Sequence, residues 1–166
     1  MTSRIGQGID FHRLENGLEL WLGGILIPSE KGPVAHSDGD VLLHATCDAI
    51  LGAAGLEDIG HHFPDTSAEF KNIDSKILLG RSFTLVREKG FEIVNIDSTV
   101  CLERPKIAGY FPQMRSVISE ILKTGPENIS IKATTAEKLG FIGREEGIMA
   151  VAVALVGKTP SHQPHG

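Results

Sequence analysis

Residues 148–156, Ile-Met-Ala-Val-Ala-Val-Ala-Leu-Val, form the longest apolar run of this chain. A membrane-spanning helix needs about 20 such residues, so the run is too short to cross a bilayer. Small and β-branched side chains without polar alternation mark a strand buried on both faces. A chain built around such a strand folds as a sheet whose two faces must both be covered. At 166 residues one domain is expected, residues 1–157. Residues 158–166, with two prolines and two histidines, carry no core pattern and read as a flexible tail. His162 and His165 are read there as tail residues rather than ligands.

The remaining pattern mixes strands and helices without strict alternation. Residues 4–10 read as a strand broken by Gly6 and Gly8. Residues 18–22 and 25–27, joined by Gly23-Gly24, read as a hairpin. Residues 28–37 read as a loop, and Asp38 as the cap of a helix reaching about Ala54. Residues 55–74 contain the breakers Gly60 and Pro64 and read as irregular. Loops of that length are often binding loops. Asp74 or Ser75 caps a second helix ending at Lys89-Gly90. A strand at 91–102, a helix at 112–122 and strands at 129–133 and 147–156 complete the reading. The expected class is α+β: a single domain with a mixed β-sheet and helices on one face. In the strand at 91–102, Ile93, Asn95, Asp97, Thr99 and Cys101 are set against Val94, Ile96, Ser98, Val100 and Leu102. That gives two half-apolar faces, and the second is expected to be covered by further copies of the chain.

A net charge of −5 offers no basic field for nucleic acid. The two cysteines, Cys47 and Cys101, both lie in apolar patterns and read as buried thiols in a reducing compartment. The first residues lack a signal-peptide core. A cytoplasmic protein is expected, or one of an organellar stroma with its transit peptide removed, with no membrane partner.

Asp10 and His12 stand two apart in Gly8-Ile-Asp10-Phe-His12, so on a strand both point to one face. His44 follows in a helical pattern just past His36-Ser37-Asp38-Gly39-Asp40. One carboxylate and two imidazoles can hold zinc or a similar metal with coordination positions left open, as catalysis requires. A D-x-H match alone is also common by chance. Asp40, His44 and Asp48, spaced by four, form a polar stripe on an otherwise apolar helix. Buried polar groups need partners, and a metal with its surrounding ligands is one way to provide them.

A second polar segment is Lys132-Ala133-Thr134-Thr135-Ala136-Glu137-Lys138, directly after a strand. Its hydroxyls and amides can receive phosphate, and Glu137 can hold magnesium on a diphosphate. Thr134-x-x-Glu137 is also a helix capping box, the reading that the motif alone favours. Arg104-Pro105-Lys106 can expose backbone groups to a nucleobase edge, or be an ordinary basic turn. Asp58, in Asp58-Ile59-Gly60, can accept two hydroxyls of a diol, or be a solvated loop acid.

Taken together, RIGQGIDFH, AHSDGDVLLHATCDAILGAAGLEDIG, FPDT, the RPK turn and IKATTAEKLGFIGREEG resemble the 2-C-methyl-D-erythritol 2,4-cyclodiphosphate synthase family, in its order, from Arg4 to Gly147. The resemblance implies an enzyme of the non-mevalonate isoprenoid route. Such an enzyme converts 4-diphosphocytidyl-2-C-methyl-D-erythritol 2-phosphate to the cyclic diphosphate and releases CMP. It implies zinc on Asp10, His12 and His44, and magnesium or manganese on the substrate diphosphate touching Glu137. His36 and Thr135 match the transition-state positions. For the substrate it implies Asp10, His12, His36, Ser37, Asp58, Ile59 and Gly60, with Phe63, Pro64, Asp65, Thr66 and Ser67 as a flexible loop. A cytidine pocket is implied at Leu102, Glu103, Arg104, Pro105, Lys106, Ile107 and Ala108, with Ala133, Thr134, Thr135 and Ala136. It further implies a homotrimer with sheets around a threefold axis and active sites between subunits. Phe141, Arg144 and Glu146 match a central cavity that takes isoprenoid diphosphates in some members.

Gln7, Ala136, Ser67 and the Leu102-Glu103-Arg104 segment depart from the common family pattern, none at a metal position. Two other functions fit parts of the pattern. One is a metal-dependent phosphohydrolase. The other is a carrier of isoprenoid diphosphates, which has no need of an open metal site.

Overall fold

The computed structural model describes residues 2–158. In chain order these form β1 (Ser3–Asn16), β2 (Leu20–Leu22), β3 (Ile25–Ile27), β4 (Lys31–Pro33), α1 (Val41–Ala54), α2 (Ile59–His62) and α3 (Ser75–Glu88). There follow β5 (Phe91–Cys101), α4 (Phe111–Ile121), β6 (Ile129–Thr134), α5 (Gly140–Gly143) and β7 (Gly147–Lys158). One sheet runs β4-β1-β7-β5-β6, and β2-β3 is a separate hairpin. Only β5 and β6 are parallel, so a crossover is needed between them, and α4 lies in it. Lys158 is still part of β7 and pairs with Phe91. The remaining tail residues, His162 and His165 among them, lie outside the described residues.

The expected mixed sheet with helices on one face is present, with differences that physics explains. Gly6 and Gly8 do not break the first strand; they pair with Ala154 and Ala152 of β7. Their role is to let α1 lie directly on the sheet. A Cβ on Gly6 would stand 2.0 Å from the Ala49 carbonyl oxygen, and one on Gly8 1.9 Å from that of Ala45. Ala150, Ala152 and Ala154 of β7 are buried on the same face. Small residues on both sides permit this close approach of helix to sheet.

The run 148–156 is buried on one face, not two. Ile148, Ala150, Ala152, Ala154 and Val156 are enclosed, while Met149, Val151, Val153 and Leu155 face outward and are half-buried or exposed. On the same outward face β1 presents Ile5, 73% exposed, with Ile9 and Phe11, 53% exposed. β5 also departs from simple alternation. A bulge between Ile93 and Asn95 shifts the register, so Ile93 is buried with Ile96, Ser98 and Val100 rather than standing with Asn95 and Asp97. An extra residue in one strand reverses the faces beyond it.

The cap of α1 is Asp40, not Asp38. Asp40 is fully buried and accepts from Leu43 N–H at 3.0 Å, Gly23 N–H at 3.0 Å and Gly24 N–H at 2.7 Å. One carboxylate therefore caps the helix and fastens the β2–β3 turn to it. Burial pushes this carboxyl above its ordinary range, and the backbone donors oppose that push. Asp48, the other acid of the stripe, accepts from Ile59 N–H at 2.8 Å and ties down α2. Residues 55–74 are thus partly helical, with a further short turn at Ala68–Phe70. α3 is capped by Asp74.

Two substitutions probe this frame. Gly8→Ala should gain roughly 0.5–1 kcal/mol in backbone entropy and lose more to the clash, since overpacking costs about 1–3 kcal/mol or more. A net loss in urea unfolding is expected; wild-type stability would sink the close-approach account. Asp40→Ala should cost about 3–5 kcal/mol, a lost cap plus two abandoned N–H donors. Asp40→Asn should recover part of it, because the amide oxygen still accepts.

Candidate metal centre

Asp10 and His12 project from the helix-covered face of β1, and His44 descends onto them from α1, one residue before the Ala45 that touches Gly8. Asp10 Oδ2 lies 3.0 Å from His12 Nε2 and 3.1 Å from His44 Nδ1, and the two ring nitrogens are 3.2 Å apart. Among the described residues these three form the one cluster of His, Cys, Asp or Glu able to hold a metal ion. Donors around a tetrahedral zinc at about 2.0 Å stand about 3.3 Å from one another. One carboxylate oxygen and two imidazole nitrogens in a near-equilateral triangle fit such an ion without rearrangement.

Electrostatics agree. Burial pushes the Asp10 carboxyl up, but hydrogen bonds and charge from His12 and His44 outweigh it and bring the group down to about 2. Burial pushes His44 down, and Asp10 more than reverses this, leaving His44 raised. The cluster favours positive charge in its midst. The far nitrogen of His44, Nε2, meets Ser75 Oγ at 2.8 Å and Ser37 Oγ at 3.2 Å.

His12 and His44 open onto a cleft of about 420 Å³ lined also by His36, Ser37, Ile59, Gly60 and the loop Phe63, Pro64, Asp65 and Thr66. Phe70, Ile73 and Leu78 complete its apolar wall, and nothing in the sequence marked them out for it. His36 is exposed, with Nε2 3.4 Å from the Ser67 carbonyl oxygen. Ser67 caps the short turn at Ala68–Phe70 by accepting from Glu69 N–H. Asp58 is not on the cleft wall; it caps α2 through His61 N–H at 2.9 Å.

A second pocket, about 200 Å³, is lined by Leu102, Glu103, Pro105, Lys106, Ile107 and Ala108 with Ala133, Thr134 and Thr135. The Arg104–Pro105 bond in its wall is cis. Arg104 turns away to pair with Glu145 at 2.7 Å. Thr134 ends β6 and opens no helix, so Thr134-x-x-Glu137 is not a capping box. Instead Glu137 and Lys138 both take left-handed backbone. Glu103 Oε1 holds their turn by accepting from Ala136 N–H at 3.0 Å and Lys138 N–H at 3.1 Å. Nothing in the sequence flagged Glu103 for that task. Glu137 is exposed beside Thr135 Oγ1.

Asp10, Ala150, Val100 and Ala133 occupy one row across β1, β7, β5 and β6. Three strand spacings therefore separate the metal cluster from the second pocket, roughly 14 Å. The two cavities share no lining residue. His36 and Thr135 thus stand on different walls of one chain. Phe141 packs against Phe11 on the open sheet face, ring centroids 6.1 Å apart. Arg144 is held by both carboxylate oxygens of Glu146 at 3.0 Å.

The YgbB family profile matches residues 3–157. A 2-C-methyl-D-erythritol 2,4-cyclodiphosphate synthase of Bacteroides fragilis is 56% identical over 158 residues, 95% of this chain and 99% of that protein. The synthase of Parabacteroides distasonis is 55% identical over 97% of this chain and 100% of its own length. Among solved structures, the bifunctional IspDF of Campylobacter jejuni matches with a TM-score of 0.92 and 44% identity, over 95% of this chain and 43% of that longer one. The CDP complex of Plasmodium falciparum IspF matches with a TM-score of 0.83 and 36% identity, over 95% and 97% of the two chains. Motifs, metal cluster, fold and near-full-length identity agree: the chain belongs to the YgbB family, together with these 2-C-methyl-D-erythritol 2,4-cyclodiphosphate synthases.

Proposed function

We propose that this chain converts 4-diphosphocytidyl-2-C-methyl-D-erythritol 2-phosphate to 2-C-methyl-D-erythritol 2,4-cyclodiphosphate and CMP, in the non-mevalonate isoprenoid pathway. The observation that carries the reading is the Asp10, His12 and His44 triangle, opening on a cleft and belonging to a chain with these relatives. A 2-phosphate oxygen attacks the β-phosphorus, the bond from that phosphorus to the bridging oxygen breaks, and CMP leaves with the electron pair. The substrate carries both nucleophile and leaving group, so the protein's task is placement. Orientation of this kind lowers a barrier by on the order of 7–11 kcal/mol.

Asp10, His12 and His44 hold zinc, which when bound supplies Lewis-acid stabilisation to the phosphates. Glu137 holds magnesium or manganese on the diphosphate. Both assignments fit an acidic chain that must gather a polyanion. His36 and Thr135 flank the reacting phosphates. The loop Phe63–Ser67, with Ile59 and Gly60, receives the methylerythritol part, and Asp58 shapes that wall by capping α2. The pocket at Leu102, Pro105, Lys106 and Ala133 receives cytidine, a reading supported by relatives solved with CDP.

His36 and Thr135 line separate cavities of one chain, and a second copy supplying one wall would bring them together. The open apolar face with Ile5, Ile9, Phe11 and Val153 gives copies a reason to associate. The assembly is a homotrimer with sites between subunits. The surroundings of Phe141 and Arg144 face its axis and can take an isoprenoid diphosphate. No helix among the described residues is long and apolar enough to cross a membrane. With Cys47 and Cys101 both free, the proposed compartment is the cytoplasm or an organellar stroma.

³¹P NMR with the proposed substrate and magnesium should show CMP and a cyclic diphosphate, abolished by a zinc chelator and by His12→Ala, which also empties the site of zinc. Open monophosphates would identify a phosphohydrolase instead. Glu137→Gln should shift the magnesium titration of turnover to higher concentration without changing zinc content. An unmoved titration would remove Glu137 from that role.

A further inference from the structure

His44 is held from behind by a chain of hydrogen bonds whose directions are dictated by what each atom can do. Asp38 does not cap α1. Its Oδ2 accepts from Ser75 N–H at 2.8 Å, and its Oδ1 accepts from Asp40 N–H at 3.1 Å and from the Ser75 hydroxyl. An ionised carboxylate has no proton to give. The single hydrogen of Ser75 Oγ is therefore committed to Asp38. Toward His44 Nε2, 2.8 Å away, Ser75 has only lone pairs to offer. Ser37 Oγ, 3.2 Å from the same nitrogen, already accepts from Gly39 N–H at 3.1 Å. With a metal on Nδ1 the remaining ring hydrogen stands on Nε2, and the lone pairs of Ser75 are placed to accept it. Nδ1 is the atom that faces Asp10 and His12. Ser75 is fully buried and Asp38 half-buried, so water competes weakly for these bonds.

We propose that Ser75, oriented by Asp38, is the positioning residue that accepts from His44 Nε2–H when Nδ1 holds a metal, and so keeps Nδ1 aimed into the metal cluster. The inference rests on reading that cluster as a metal site. The path leaves the helix that carries the ligand and enters α3 through its first residue. Metal affinity is thereby tied to how the start of α3 is seated. Partners of this kind behind a ligating histidine are worth about 10–100-fold in affinity.

The test uses the full chain, freed of metal and titrated with zinc against a chromophoric chelator. The Nε2–H of His44 is read separately, in the zinc-loaded protein, from its proton signal and its exchange with water. Ser75→Ala is expected to raise the zinc Kd by about 10–100-fold and to speed the exchange of the His44 Nε2–H with water. Ser75→Cys keeps the volume but accepts poorly, and should behave alike if the alanine variant fails to fold. An unchanged Kd and an unchanged Nε2–H exchange in a folded variant would overturn the proposal and leave the metal site standing. Absence of zinc binding by the wild-type chain would overturn both.

Discussion

The contact on which the rest of this structure depends is the one between the backbone of α1 and the bare faces of Gly6 and Gly8. It sets the height of the helix above the sheet, and it does so at Ala45 and Ala49, the positions flanking His44 by one and five residues. A ligand triangle with sides near 3 Å tolerates little error in that height. Glycine here is thus less a matter of flexibility than of thickness. The alanines of β7 continue the same thin floor, so the helix can lie flat across two strands rather than tilt away from the site.

A second theme is that the acids around the site act first as fasteners. Asp40 joins a hairpin to a helix, Asp48 joins one helix to the next, Asp38 joins a loop to α3, and Glu103 joins a strand end to the turn carrying Glu137. Each accepts from backbone N–H groups that would otherwise be orphaned, and Asp38 from the Ser75 hydroxyl as well. These four acids are therefore engaged by backbone donors rather than left as loose negative charge. Asp10 is the exception, and two imidazoles face it.

Much of this was legible in the chain because periodicity survives translation into structure. The D-x-H spacing put two metal-capable side chains on one face of a strand, and the spacing of four put His44 on the one helix stripe that is not buried. The errors fall where local pattern and tertiary partner disagree. Asp38 and Asp40 are both good caps, and only the arrival of the Gly23-Gly24 turn decides between them. Glycines that look like strand breakers become spacers once a helix is known to cross them. The bulge at Ile93/Asn95 leaves no mark in the alternation it disrupts. The capping-box pattern at Thr134 was read as a helix start, yet the chain there turns through two left-handed residues held by an acid from a distant segment. Such long-range bonds have no signature within a window of a few residues.

β1 carries two unrelated duties on alternate residues. Asp10 and His12 face the helix, while Ile9 and Phe11, their immediate neighbours, face outward among Met149 and Val151. With a period of two, no residue can be added or removed between Gly8 and His12 without exchanging the faces. Such a change would put ligands into an apolar surface and hydrophobes into the ligand triangle at one stroke. The strand is in this sense an interleaved message with no spaces, open to point substitution and closed to any change of length.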